Sequence, residues 1–137
     1  MKRVLFVCVE NSCRSQMAEG FARSLGVGLL DAQSAGSRPS GTVNETAIAL
    51  MGEAGVDLSR NRSKGIADLP SGAWDYVFTM GCGDACPLVP AVRGDDWAIP
   101  DPKHLPPDEF RKVRDLIAAK VAALVEEIRS AEDRSAR

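Results

Sequence analysis

One histidine, one tyrosine and two tryptophans are few for a chain of 137 residues. A single His104 excludes mechanisms that need two histidines, and it reads as a surface residue. No apolar run approaches the ~20 residues of a membrane span. Lys2 and Arg3 precede an apolar stretch, but that stretch stops at Glu10 without a small-residue cleavage site, so it is not read as a secretory signal. The formal net charge of -2 shows no basic excess, which argues against a nucleic-acid binder or a membrane-surface protein. Internal repeats and low-complexity linkers are absent. The expected compartment is the cytoplasm, where thiols stay reduced. Cys8, Cys13, Cys82 and Cys86 therefore read as chemistry or core and not as a disulfide framework.

What is present is enough for one domain with its own core. The composition, 45% hydrophobic and 26% charged, is ordinary for a globular protein. A single catalytic domain is expected over 1–129, with 130–137 as a frayed polar tail. One self-contained core makes a monomer the default.

Strands and helices alternate along the chain. Arg3 to Val9 has the continuous β-branched character of a strand buried on both faces. Met17, Ala18, Phe21, Ala22 and Leu25 recur at helical spacing, and Gly26 is placed to end that helix. Leu29 to Ala35 predicts a second strand. Asn44 caps a second helix with Ala47, Ile48, Met51 and Ala54 inward and Gly55 as its stop. A short helix is expected within Ser59 to Ser71. Trp74 to Met80 predicts a third strand and Asp96 to Ile99 a short fourth one. Pro106 and Pro107 open the longest helix, whose stripe is Val113, Leu116, Ile117, Val121, Leu124, Val125 and Ile128. The pattern predicts an α/β fold, an open parallel four-stranded sheet with helices on both faces.

In such sheets ligands sit beyond the carboxyl ends of the strands, near a switch in strand order. Cys8, Cys82 and Asp101 all fall at that edge. Cys8 also stands before a helix N-terminus, with Arg14 six positions on, surroundings that favour a thiolate nucleophile. The amides of Val9, Glu10, Asn11, Ser12, Cys13 and Arg14, with the Arg14 guanidinium, can cradle a tetrahedral oxyanion. Asn11 tolerates a left-handed backbone, and Ser15 can donate to the Cys8 sulfur. Cys13, with no second partner in the loop, reads as structural. Asp101, beside a thiolate and a bound oxyanion, is favoured in its protonated form and can serve as a general acid, with Pro102 keeping it extended. Zinc ligation fits the cysteine spacings poorly and no histidine supports it; no metal is expected.

Four stretches carry a resemblance: VCVENSCRSQMAEG, SAGSRPSGTVNETAI, TMGCGDACP and WAIPDP. In order and over nearly the whole chain they resemble the thioredoxin-coupled arsenate reductases, which are similar in fold to low-molecular-weight protein tyrosine phosphatases. The resemblance implies Cys8 as nucleophile, Arg14 as oxyanion ligand, Ser15 as thiolate stabiliser and Asp101 as general acid. It further implies that Cys82 attacks Cys8 and releases arsenite, and that Cys86 then attacks Cys82 and carries the disulfide outward to thioredoxin or a similar thiol donor. No tightly bound cofactor is implied. The Cys82 to Cys86 spacing is compatible with a disulfide, because i and i+4 Cα atoms on a helix lie ~6 Å apart.

A phosphatase of the same superfamily needs only Cys8, Arg14 and Asp101, and a phosphocarrier needs less still. Tyrosine phosphatases usually place an aromatic residue after the Asp-Pro; this chain has Lys103. The chain departs from the common reductase pattern in three respects. Glu10 stands where the loop often has glycine, Cys82 and Cys86 are closer together than usual, and Lys64 stands where some relatives carry a carboxylate. Those relatives bind potassium through side chains matching Asn11, Glu19 and Ser34. An ammonium at position 64 is expected to neutralise Glu19 directly.

Overall fold

The structure, a computed structural model, describes residues 1–81 and 89–135. Strand β1 (Lys2–Cys8) runs into helix α1 (Arg14–Leu25), followed by β2 (Leu30–Gly36) and α2 (Glu45–Glu53). A 3-10 turn at Ile66–Asp68 precedes β3 (Trp74–Thr79), β4 (Ala91–Asp96) and α3 (Pro107–Ser135). The sheet order is β2-β1-β3-β4 and every pairing is parallel. The switch in strand order therefore falls at β1, whose two neighbours lead away in opposite directions.

Strand β1 is the buried centre of the sheet, with Val4 to Val7 fully inaccessible. Its alternation divides the core. Val4, Phe6 and Cys8 join the cluster formed with α1, α2 and α3. Leu5 and Val7 pack on the other face with Ala35, Trp74 and Val77, under Ile66 and Leu69 of the 3-10 region. Among the described residues, the three α-helices thus share one face and the 3-10 turn covers the other. Helix α1 lies deepest, buried from Arg14 to Ala22.

Local signals explain most boundaries. Asn44 caps α2, its Oδ1 accepting from the Ala47 amide at 3.1 Å, and Gly55 beyond its end has φ +82°. The inner face of α2 is Ala47, Leu50 and Met51; Ala54, expected inward, is exposed. In α3, Leu116 is 40% exposed and Phe110 takes a buried place in the stripe instead. That helix runs to Ser135.

The fourth strand is the clear displacement from expectation. It occupies Ala91–Asp96, and not Asp96 to Ile99. As an edge strand it pairs only with β3, and five of its six residues are exposed, so it carries no apolar alternation for sequence to reveal. Trp97 and Ile99 pack against the core after the strand has ended. Ala98 between them has φ +50°, a left-handed turn incompatible with an extended run.

Candidate active site

The carboxyl end of β1 lies level with that of β2, Cys8 opposite Gly36. The chain then turns through Val9 to Cys13 into α1. This loop passes so close to β2 that a Cβ on Gly36 would lie 2.4 Å from the Val9 carbonyl oxygen; only glycine fits there.

Neighbouring segments hold the loop carbonyls from outside. Val9 O accepts from the Arg38 amide at 2.8 Å, Glu10 O from Ser40 N at 3.1 Å and Ser12 O from Asn44 N at 3.1 Å. Ser63 Oγ also donates to Glu10 O at 2.7 Å. Because each peptide is planar and trans, fixing a carbonyl outward turns the next amide inward. The amides of Glu10, Asn11 and Cys13 are oriented in this way. Helix α1 adds to the same field, since its N-cap residue, Cys13, makes no side-chain capping bond. Its first-turn N–H groups thus stay available to an anion.

Asn11 fixes the loop's shape. It sits at φ +51°, a conformation asparagine tolerates at some cost. Three side-chain hydrogen bonds offset that cost. Its Nδ2 donates to Ser15 Oγ at 2.8 Å, while its Oδ1 accepts from Gln16 Nε2 and the Lys64 amide, each at 2.9 Å. Ser15 Oγ lies 2.8 Å from Cys8 Sγ. Since Asn11 already donates to that oxygen, the hydroxyl proton is free to point at the sulfur. With Cys8 as a thiolate, Ser15 is the donor and the sulfur the acceptor.

Arg14 is buried and anchored from two directions. Its Nη1 donates to Met80 O at 2.6 Å and to Ile99 O at 3.1 Å. The Nε–Nη2 edge is thus the one that can grip an oxyanion bidentately. Nη2 stands 3.8 Å from Asp101 Oδ2. Cys8, Arg14 and Asp101, from three separate stretches, line one pocket of about 210 Å³ with Val9, Glu10, Ser12, Cys13 and Lys103.

Cys13 lines the pocket as an inert thiol. Burial, and then the charges of Asp101, Cys8 and Glu10, push its pKa up to about 12. Cys82 and Cys86 lie outside the described residues. His104 is exposed. Among the described residues no group of three or more histidine, cysteine or acidic side chains could hold a metal ion.

Two features escape sequence reasoning. Gln16 and Asn61 tie the loop to the far side of α1: Gln16 Nε2 reaches the Asn11 side chain and Arg62 O, and Asn61 Nδ2 donates to Gln16 Oε1 and Glu19 Oε2. Lys103 pairs with Glu10, so the carboxylate in the loop has its own counter-charge. A basic residue after Asp-Pro was the available signal, but nothing local paired it with Glu10.

Lys64 lies beside Glu19 and Ser34. Its Nζ is 3.4 Å from both Glu19 Oε1 and Ser34 Oγ, and Arg23 Nη2 approaches the same Glu19 oxygen at 3.5 Å. Glu19 is 1% exposed, and a buried carboxylate needs a counter-charge. An ammonium already supplies it, so these residues do not fit a potassium site. Turnover should change less than about twofold when potassium is exchanged for sodium or choline at constant ionic strength. A marked potassium stimulation would refute the assignment of Lys64 as the counter-ion.

A parallel α/β sheet with a cysteine-tipped anion loop at its switch point defines the low-molecular-weight phosphatase class of fold. Residues 3–134 match the model of the low molecular weight phosphotyrosine protein phosphatase family, and the chain belongs to that family. The glutaredoxin arsenate reductase of Synechocystis sp. is 41% identical over 131 residues, which cover 93% of this chain and 99% of the relative. A solved arsenate reductase in its phosphate binding state matches with a TM-score of 0.84 and 41% identity, over 93% of this chain and 99% of that one. The thioredoxin-dependent arsenate reductase of Corynebacterium glutamicum matches with a TM-score of 0.75 and 29% identity, over 96% of this chain and 63% of that one. The kinship expected from the four sequence stretches therefore holds.

Proposed function

We propose that the protein is an arsenate reductase, and that Cys8, Arg14, Ser15, Cys82, Cys86 and Asp101 carry the reaction. The observation that carries this reading is the Cys8 sulfur, bonded by Ser15 in a pocket of about 210 Å³ shared with Arg14 and Asp101. A tetrahedral anion there meets the loop amides of Val9 to Arg14 and the guanidinium, with the sulfur below it. The kinship with named arsenate reductases supports reduction over hydrolysis.

In this mechanism the Cys8 thiolate attacks arsenic and Asp101 protonates the departing oxygen, which leaves as water. Cys82 then attacks the Cys8 sulfur. The sulfur–arsenic bond breaks, its electron pair stays on arsenic, and arsenite leaves as the Cys8–Cys82 disulfide forms. Cys86 attacks Cys82, restores the Cys8 thiolate and leaves a Cys82–Cys86 disulfide for an external protein thiol to reduce. Two thiols supply the two electrons that take arsenic(V) to arsenic(III). The donor in this reading is a thioredoxin or a similar dithiol protein. Named relatives use either of two such systems, one a glutaredoxin arsenate reductase and one thioredoxin-dependent. The cascade needs a reducing compartment, which favours the cytoplasm, and among the described residues no helix is long and apolar enough to cross a membrane. One self-contained site suits a monomer with a single catalytic domain over 1–129.

Thiol accounting on the fully reduced protein tests the reading. With arsenate and no external donor, one arsenite should form per protein, two thiols should be lost, and peptide mapping should find them in a Cys82–Cys86 disulfide. Vigorous hydrolysis of p-nitrophenyl phosphate with no arsenite formed would replace it with a phosphatase. A stable phosphocysteine without turnover would replace it with a phosphocarrier.

A further inference from the structure

The anion pocket is lined in part by an ion pair between stretches far apart in sequence. The Lys103 ammonium donates to both oxygens of the Glu10 carboxylate, at 2.8 and 3.0 Å. Both side chains are about two-fifths exposed and line the pocket that holds Cys8 and Arg14. Glu10 belongs to the anion loop, and Lys103 follows the Asp101-Pro102 step.

Two consequences follow from this placement. First, an unpaired carboxylate in the loop would repel the anion that the loop amides attract. The Lys103 ammonium cancels that repulsion at its source. Second, a substituent on the anion that lies against this pair meets two charges. An apolar ring laid over it would strip water from two charges and return no hydrogen bond.

We infer that Glu10 and Lys103 together form the selectivity element of the pocket, which admits a free tetrahedral oxyanion and disfavours an ester bearing an aryl group. This rests on Cys8 and its loop being an anion site. It does not require that the anion be reduced. The backbone amide of Lys103, not its side chain, donates to Asp101 Oδ1 at 3.1 Å. Side-chain substitutions at 103 therefore probe charge apart from the orientation of the acid.

The test is protection of Cys8 from iodoacetamide, measured with inorganic phosphate and with phenyl phosphate as protectants. It reports binding alone, so it remains readable even if the protein turns over no arsenate. In the wild type, phenyl phosphate should protect at least about tenfold more weakly than phosphate. Lys103→Met should weaken phosphate protection about tenfold, Glu10→Gln should tighten it a few-fold, and the double variant should return to within about threefold of wild type. In the double variant the gap between phosphate and phenyl phosphate should close. Phosphate protection that moves less than twofold in both single variants, or an aryl discrimination that persists in the double variant, would overturn the inference.

Discussion

Replacing Cys8 with serine should eliminate arsenate reduction, lowering turnover about ten-thousandfold or more while leaving the fold in place. In the proposed mechanism the sulfur forms the bond to arsenic and is later attacked by a second thiol as arsenite leaves. An alcohol at that position is a poorer nucleophile and cannot enter a disulfide. The substitution is otherwise mild. Cys8 is 3% exposed, and its neighbour Ser15, 2.8 Å away, can hydrogen-bond a hydroxyl as readily as a sulfur. The stability cost should stay near about 1–2 kcal/mol, visible as a small shift in Tm. Cys13 cannot take over, although it lines the same pocket. Its pKa, raised to about 12 chiefly by burial, keeps it a thiol across the neutral range. In the Cys8→Ser protein, then, iodoacetamide at pH 7 should find no fast-reacting thiol in the pocket. The assays are arsenite release and the rate of alkylation mapped to peptides. Arsenate turnover within tenfold of wild type would remove Cys8 from the mechanism.

The parts of this site that could be read from sequence are those built locally. Strand, loop and helix from Lys2 to Leu25 are contiguous, so the apolar run, the left-handed Asn11 and the helix start are all visible within two dozen residues. The cap at Asn44 and the stop at Gly55 are legible for the same reason. Asp101 required more, because its meeting with Arg14 spans the sheet; its position beyond the last strand supplied the link even though that strand was misplaced. Strand β4 was illegible because an edge strand stands mostly in solvent and has no buried alternation to display. The Glu10–Lys103 pair was illegible because a charge pair 93 residues apart leaves no periodic trace. The network of Gln16, Asn61 and Glu19 has the same character: each residue looks like an ordinary polar side chain until the fold brings them to one side of α1.

Replacing Cys82 with alanine should separate reduction from anion chemistry, lowering arsenate turnover about a thousandfold or more while leaving phosphate protection of Cys8 within about twofold of wild type. In the proposed mechanism Cys8, its loop, Ser15, Arg14 and Asp101 bind the anion and form the sulfur–arsenic bond. None of them can take the next step, which requires a thiol to attack the Cys8 sulfur. Cys86→Ala should behave differently. One arsenite should be released per protein, after which the enzyme should stall with Cys8 and Cys82 joined, so mass mapping of the stalled product reads the order of attack directly. The guanidinium that faces the pocket also bonds the carbonyl of Met80, just past the end of β3. If both Cys82→Ala and Cys86→Ala retained arsenate turnover, the thiol cascade would fall. Cys8 would then act with an external thiol alone.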